Sequence, residues 1–209
     1  MKINEILSGL DKMIENPRCE LNYKKNYELL IATVLSAQCT DARVNKVTKV
    51  LWSKYDLKSL SNAKKSDIEK IIYSCGNYKK KSEYIRNIAK NLLKDYDGKV
   101  PNDREYLESL SGVGRKTVNV VLSNIYNEPL IAVDTHVDRV SKRLGLANDK
   151  DNVLQVENKL MKKIPKSLWS RTHHQLVLFG RYICKSKKPN CDECLLTSYC
   201  KYYKKYKNN

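Results

Sequence analysis

The sequence has no run of about 18 apolar residues, so no part of it reads as a helix that spans a bilayer. It also has no secretory hydrophobic core, because charged residues interrupt Ile3, Ile6, Leu7 and Leu10. Both absences predict a cytoplasmic protein, in which the seven cysteines are not expected to form disulfides. No segment alternates apolar and polar residues as a half-buried strand does. No internal repeat is present, and no flexible linker divides the 209 residues. The predicted fold is all-α.

Acidic residues are scarce in the last quarter of the chain. Residues 159–209 hold thirteen Lys or Arg and only two acids, in a chain whose formal net charge is +17. Such clustering points to a polyanionic partner, nucleic acid first. AT-rich coding, which favours Lys, Asn, Ile and Tyr, would raise the total charge but does not explain the clustering.

Apolar periodicity marks the helices. Ile3, Ile6, Leu7, Leu10 and Met13 form a first, ended by Asn16 and Pro17. Asn26 is expected to cap a second, with Leu29, Leu30, Thr33 and Val34 largely buried, and Asp41 a third through Val44, Val47 and Leu51. Ser66 and Glu69 have the spacing of a capping box ahead of Ile71 and Ile72. A longer helix through Ile85, Ile88, Ala89, Leu92 and Leu93 closes at Asp97-Gly98 and Pro101. Further helices are predicted near 135–144, 152–163 and 168–183.

The stretch with most chemistry runs from Leu110 to Lys116, reading Leu-Ser-Gly-Val-Gly-Arg-Lys. A short helix over Asp103–Leu110 precedes it. A second follows, with Val118, Val121, Leu122 and Ile125 on one face. Gly112 and Gly114 permit positive φ and close approach of another backbone. The free N–H groups of such a hairpin, at the positive end of a helix, suit a phosphate oxygen. A glycine turn between helices is also ordinary architecture. Lys116 lies in the first turn of the second helix, about 200° around from Val118. The helix dipole and the neighbouring Arg115 both favour its neutral amine, which can attack an aldehydic carbon. The bland alternative is a solvated or phosphate-pairing lysine.

The helix after Arg115 carries the chain about 16 Å away from Lys116. Asn127, Glu128 and Pro129 stop it, and the seven steps from Asn127 to Asp134 can span about 23 Å back. Asp134 also reads as a plain N-cap for Val137, Val140 and Leu144. Downstream, Cys184, Cys191, Cys194 and Cys200 are separated by six, two and five residues. Four thiolates so spaced fit one soft-metal site, zinc or an iron–sulfur cluster, and the spacing does not distinguish the two.

Leu110–Lys116 with the following Thr-Val-Asn-Val-Val, then Ile131-Ala-Val-Asp-Thr-His-Val137, resemble the helix–hairpin–helix DNA glycosylases, the endonuclease III family in particular. The resemblance covers nearly the whole chain, including Leu35-Ser-Ala-Gln-Cys-Thr-Asp41 and the four spaced cysteines. It implies a six-helix barrel domain over 21–130, and an iron–sulfur domain made from 1–20 with 131–209. Lys116 and Asp134 would then face one cleft from its two sides. The positions matching them are the family's Schiff-base lysine and catalytic aspartate.

The resemblance further implies a bifunctional glycosylase and abasic-site lyase that acts as a monomer on oxidised pyrimidines in double-stranded DNA, in a bacterial cytoplasm. It implies a 4Fe-4S cluster on Cys184, Cys191, Cys194 and Cys200, shaping a basic loop of Lys185, Lys187 and Lys188 for phosphate contact. Gln38 would fill the space of the extruded nucleotide, with Gly112, Gly114 and Arg115 at the DNA backbone. Asn77 stands where relatives commonly carry an apolar wedge; a turn residue tolerant of positive φ is the other reading. Ser111 replaces the family's usual proline, and a looser hairpin is expected.

Cys19, Cys39 and Cys75 are expected to be ordinary core or surface residues, and Lys79, Lys80 and Lys81 solvated charge with some phosphate contact. The Tyr/Lys tail at 199–207 is read the same way. His173 and His174, adjacent on a helix, should diverge, and His136 should bond locally. Two rivals stay open: an adenine glycosylase of the same fold, and a noncatalytic DNA-structure-binding module. The former generally lacks a lysine matching Lys116 and carries a further C-terminal domain that this sequence does not show.

Overall fold

Helix α2 (Asn26–Leu35) is apolar on every side, and every residue from Tyr27 to Leu35 is buried. A helix with that composition belongs in the middle of a bundle. The computed structural model describes residues 3–207, with side chains through 205. Positions 1–2 and 208–209 of the predicted terminal segments, and the 206–207 side chains of the tail, lie outside the described residues.

The chain forms two compact units, one of residues 20–126 and the other of residues 1–19 with 127–209. The first contains α2, α3 (Asp41–Lys54), α4 (Leu57–Asn62), α5 (Lys65–Ile72), α6 (Tyr78–Tyr96), α7 (Arg104–Ser109) and α8 (Arg115–Tyr126). Helices α3, α6 and α8 pack on α2, and α4 and α5 pack on α6. The second contains α1 (Ile3–Met13), α9 (Thr135–Arg143), α10 (Val153–Lys163), α11 (Trp169–Tyr182) and α12 (Lys201–Lys207). There α11 packs on α1 and α9, around Ile6, Leu10, Val137, Val140, Leu176 and Phe179. No strand occurs among the described residues, so the fold is all-α.

Several helix starts differ from the expectation. Lys25, not Asn26, is the cap residue of α2, and the backbone N–H groups of Lys24 and Lys25 donate to Glu28 Oε2. Thr40 rather than Asp41 caps α3 by accepting from the Arg43 N–H. Ser66 lies inside α5, which starts one residue earlier, and Glu69 instead accepts from the Ser82 hydroxyl at 3.4 Å. Helices α4 and α12 were not expected: α4 has only Leu57 and Leu60 to set a period, and α12 reads as a solvated Tyr/Lys tail. Asp56 and Ser59 supply the missing signal for α4 as a reciprocal cap, at 2.7 and 2.9 Å.

Candidate functional site

The hairpin between α7 and α8 is built by one glycine conformation and one short bond. Gly112 sits at φ +83°, and a Cβ there would overlap the ring of Tyr84, so both backbone and space require glycine. The Val113 N–H donates to the Leu110 carbonyl at 3.0 Å. This bond closes the hairpin, with Ser111 exposed at its entry. Gly114 is not left-handed; its missing side chain opens onto free space, leaving the backbone approachable. Val113 is buried and anchors the tip. Arg115 is exposed, and Lys116 is half-buried in the first turn of α8.

Two further loops meet in the same unit. Gln38, exposed and at φ +55°, lies beside the turn leading to Asn77: a Cβ on Gly76 would stand 3.6 Å from the Gln38 carbonyl oxygen. Asn77 is exposed at φ +56°, opens α6, and makes no side-chain capping bond. The ring of Tyr78 lies 4.9 Å from that of Tyr73, which is 69% exposed. Lys79 and Lys80 are exposed, but Lys81 is not solvated charge. It is 4% exposed, and its ammonium donates to the Leu35 and Ala37 carbonyls at 2.9 and 2.5 Å. Its burial pushes its pKa down. The end of α2 leaves carbonyls without helical partners, and Lys81 satisfies them.

In the other unit Asp134 caps α9. Its Oδ1 accepts from the His136 and Val137 N–H groups, both at 2.8 Å, while Oδ2 takes no hydrogen bond from the described residues. Asp134 is half-buried. Arg139 then fixes the turn, donating to the carbonyls of Gly180 at 2.7 Å and Cys184 at 3.2 Å, and approaching His136 Nδ1 at 3.2 Å. A guanidinium can only donate, so His136 Nδ1 accepts. The His173 and His174 rings do not diverge but lie 4.9 Å apart; burial lowers the pKa of His174.

Cys184, Cys191, Cys194 and Cys200 line one small cavity with Leu144, Phe179 and Ile183. Burial pushes the pKa values of the Cys191, Cys194 and Cys200 thiols up, and the Cys184 thiol adds to each shift. Donors point at the sulfurs: Arg143 Nη1 at Cys184, the Leu196 N–H at Cys194 and the Tyr203 N–H at Cys200, at 3.3, 3.4 and 3.4 Å. Such a donor set favours thiolates around a cationic group. Among the described residues no three His, Cys, Asp or Glu side chains converge on one ion position. Arg143 also donates to the Lys185 and Ser186 carbonyls at 2.7 and 3.0 Å, shaping the loop on which Lys185, Lys187 and Lys188 are exposed. Arg139 and Arg143 were not singled out in the sequence. Their spacing of four on α9, facing one loop, was the available signal.

Residues 31–166 match the HhH-GPD superfamily of base excision DNA repair proteins. Endonuclease III of Bacillus subtilis (strain 168) is 48% identical over 205 residues, covering 96% of this chain and 94% of that protein. Two solved structures are alike in fold and sequence. One is a non-covalent endonuclease III–DNA complex, at TM-score 0.95 and 48% identity, covering 100% and 98% of the two chains. The other is a trapped endonuclease III–DNA covalent intermediate with an estranged adenine, at 0.94 and 48%, covering 99% and 97%. A hairpin with an open glycine, a lysine in the turn behind it, a capping aspartate and four gathered cysteines thus occur in a chain that belongs to the HhH-GPD superfamily and, within it, to the endonuclease III family.

Proposed function

We propose that this enzyme is a bifunctional DNA glycosylase and abasic-site lyase of base excision repair, acting on oxidised pyrimidines in double-stranded DNA. One observation carries the reading: 48% identity over almost the entire chain to an endonuclease III trapped as a covalent DNA intermediate. That chemistry needs an amine nucleophile, and Lys116 is the lysine in the first turn after the hairpin.

The damaged base leaves the stack, because its glycosidic carbon is inaccessible inside the duplex. The Lys116 amine attacks C1′, the glycosidic bond breaks and the base departs with its electron pair. Loss of a proton from the new nitrogen and opening of the sugar leave a Schiff base. That imine acidifies C2′; loss of the C2′ proton expels the 3′ phosphate and cuts the strand, and water then releases Lys116. Asp134 takes the amine proton and stabilises positive charge developing on the sugar. Its cap geometry supports this role, since Oδ1 is held by two backbone donors and Oδ2 is uncommitted.

The exposed Gly114 backbone and Arg115 hold phosphate at the hairpin, and Lys185, Lys187 and Lys188 hold it at the basic loop. Gln38 and Asn77 enter the space left by the extruded nucleotide. Cys184, Cys191, Cys194 and Cys200 hold a 4Fe-4S cluster, whose contribution is structural. The four thiols line one cavity, and donors point at three of the sulfurs, which suits thiolates gathered around a cationic cluster. Residues 21–130 act as the barrel domain and 1–20 with 131–209 as the cluster domain. Among the described residues no helix is long and apolar enough to cross a membrane, and we place the enzyme with DNA in the cytoplasm. Borohydride trapping across lesion duplexes tests the reading: adducts should form with oxidised pyrimidine and abasic duplexes, and none with any duplex would reject it.

A further inference from the structure

Cys39 and Cys75 are 36 positions apart in sequence, yet their sulfurs lie 3.8 Å apart. They are the only two cysteines of their unit. Cys39 is half-buried, and Cys75 is 1% exposed. The pair joins two loops already in contact. Cys39 directly follows Gln38, and Cys75 lies two residues before Asn77. Arg43 Nη1 reaches across to the Ser74 carbonyl at 3.4 Å. Lys81 bonds the Leu35 and Ala37 carbonyls at the head of the first loop, and its charge opposes the burial that pushes the Cys75 thiol up to about 11.

We propose that Cys39 and Cys75 form a reversible dithiol–disulfide site, closed by hydroperoxides, that locks the loop 36–40 to the loop 73–77. Cys39 is the more accessible thiol and reacts first. Its thiolate attacks a peroxide oxygen and the O–O bond breaks: one oxygen stays on sulfur as the sulfenic acid, and the other leaves as hydroxide. The Cys75 sulfur, 3.8 Å away, then gives up its proton and attacks the Cys39 sulfur, expelling the second hydroxide. Two thiols and one hydrogen peroxide thus give one disulfide and two waters. The sulfurs must close from 3.8 Å to about 2.0 Å, by rotation of the side chains or a shift of the loops that carry them, and the bond then ties the two loops together. Buried Cys75 is kept from direct over-oxidation and serves as the resolving thiol.

The bond itself depends only on the sulfur geometry. Its effect on DNA rests on the proposed roles of Gln38 and Asn77. The whole, cluster-loaded protein is treated with limiting hydrogen peroxide, alkylated and mapped by peptide mass. A Cys39–Cys75 linked peptide is expected, and dithiothreitol should remove it. Cys75→Ser should instead leave a sulfenic acid on Cys39 that dimedone captures. Single-turnover excision from a stacked lesion duplex, compared at equal iron content, should fall at least about tenfold in oxidised wild type. It should recover with dithiothreitol, and neither Cys39→Ser nor Cys75→Ser should show the fall. Recovery of both cysteines as free thiols, or linkage to other cysteines, overturns the site. A linked peptide with unchanged excision overturns the lock. Neither result touches the proposed lyase function, which falls only if untreated protein fails to trap.

Discussion

Arg143 donates to the Cys184 sulfur at 3.3 Å while its guanidinium stacks 4.1 Å from the centre of the Tyr202 ring. The same Nη1 bonds the Lys185 carbonyl at 2.7 Å. One side chain on α9 therefore ties a cysteine, the basic loop and α12 together. Anaerobically purified protein should contain about four irons and four sulfides per chain. In Arg143→Ala the thiolate loses its donor and the loop its anchor, and iron should be lost to a chelator about tenfold faster or more. Stoichiometric zinc without iron in the wild type would reject the cluster. Iron retention unaffected by the substitution would reject the role of Arg143.

The observed cap and the proposed catalytic role of Asp134 can be separated. Asparagine keeps an oxygen where Oδ1 accepts from His136 and Val137, so Asp134→Asn should retain the cap and melt within about 2–4 °C of wild type. It loses the negative charge, and base excision should fall by about 10²-fold or more. Asp134→Ala should lose both, with about 1 kcal/mol of helix stability added to the catalytic defect. An Asn variant excising at the wild-type rate would reduce Asp134 to a cap.

Lys116→Ala should abolish the borohydride adduct while duplex binding stays within about tenfold, or ~1.4 kcal/mol. The side chain is half-buried at the start of α8, away from the buried Val118 face, so truncating it leaves the packing intact. Adduct formation at the wild-type rate would move the nucleophile elsewhere.

Replacing Lys185, Lys187 and Lys188 with alanine should flatten the salt dependence of DNA binding, with a log–log slope reduced by roughly one per lost phosphate contact. All three are exposed on a loop held by Arg143 through main-chain carbonyls, so the fold should survive the change. An unaltered slope would separate the loop from DNA.

What the sequence revealed and what it hid follow from distance along the chain. Val118, Val121 and Leu122 declare the buried face of α8 because the period is local. Asp134 declares itself a cap because the N–H groups that donate to it are two and three residues on. Lys81 read as one of three solvated lysines, since its partners are carbonyls more than forty positions away. Cys39 and Cys75 looked ordinary for the same reason, and neither has a periodic neighbour to betray it. Arg139 and Arg143 were legible as two basic residues on one helix face, but their cysteine-loop partners lie beyond forty residues.

Asn77 is the position where sequence and structure pull on one prediction from opposite sides. By composition it is a short, polar substitute for an apolar wedge, so Asn77→Leu would be expected to help lesion extrusion from stacked duplex. At φ +56°, however, asparagine is tolerated and leucine is strained by about 1–2 kcal/mol. The exposed side chain makes no cap bond, so the substitution forfeits no contact within α6. Wedging helps offset an unstacking cost of a few kcal/mol, which exceeds the backbone strain. Asn77→Leu should therefore lower the melting temperature slightly yet raise single-turnover excision of a firmly stacked lesion. Cleavage at a preformed abasic site, where no base is left to extrude, should hardly change. Asn77→Gly supplies the control: it keeps the left-handed turn without a side chain and should slow only the stacked substrate. Equal changes on both substrates, or a Leu variant slower only on the stacked one, would return Asn77 to a turn residue and pass the wedge to Tyr78 or Gln38.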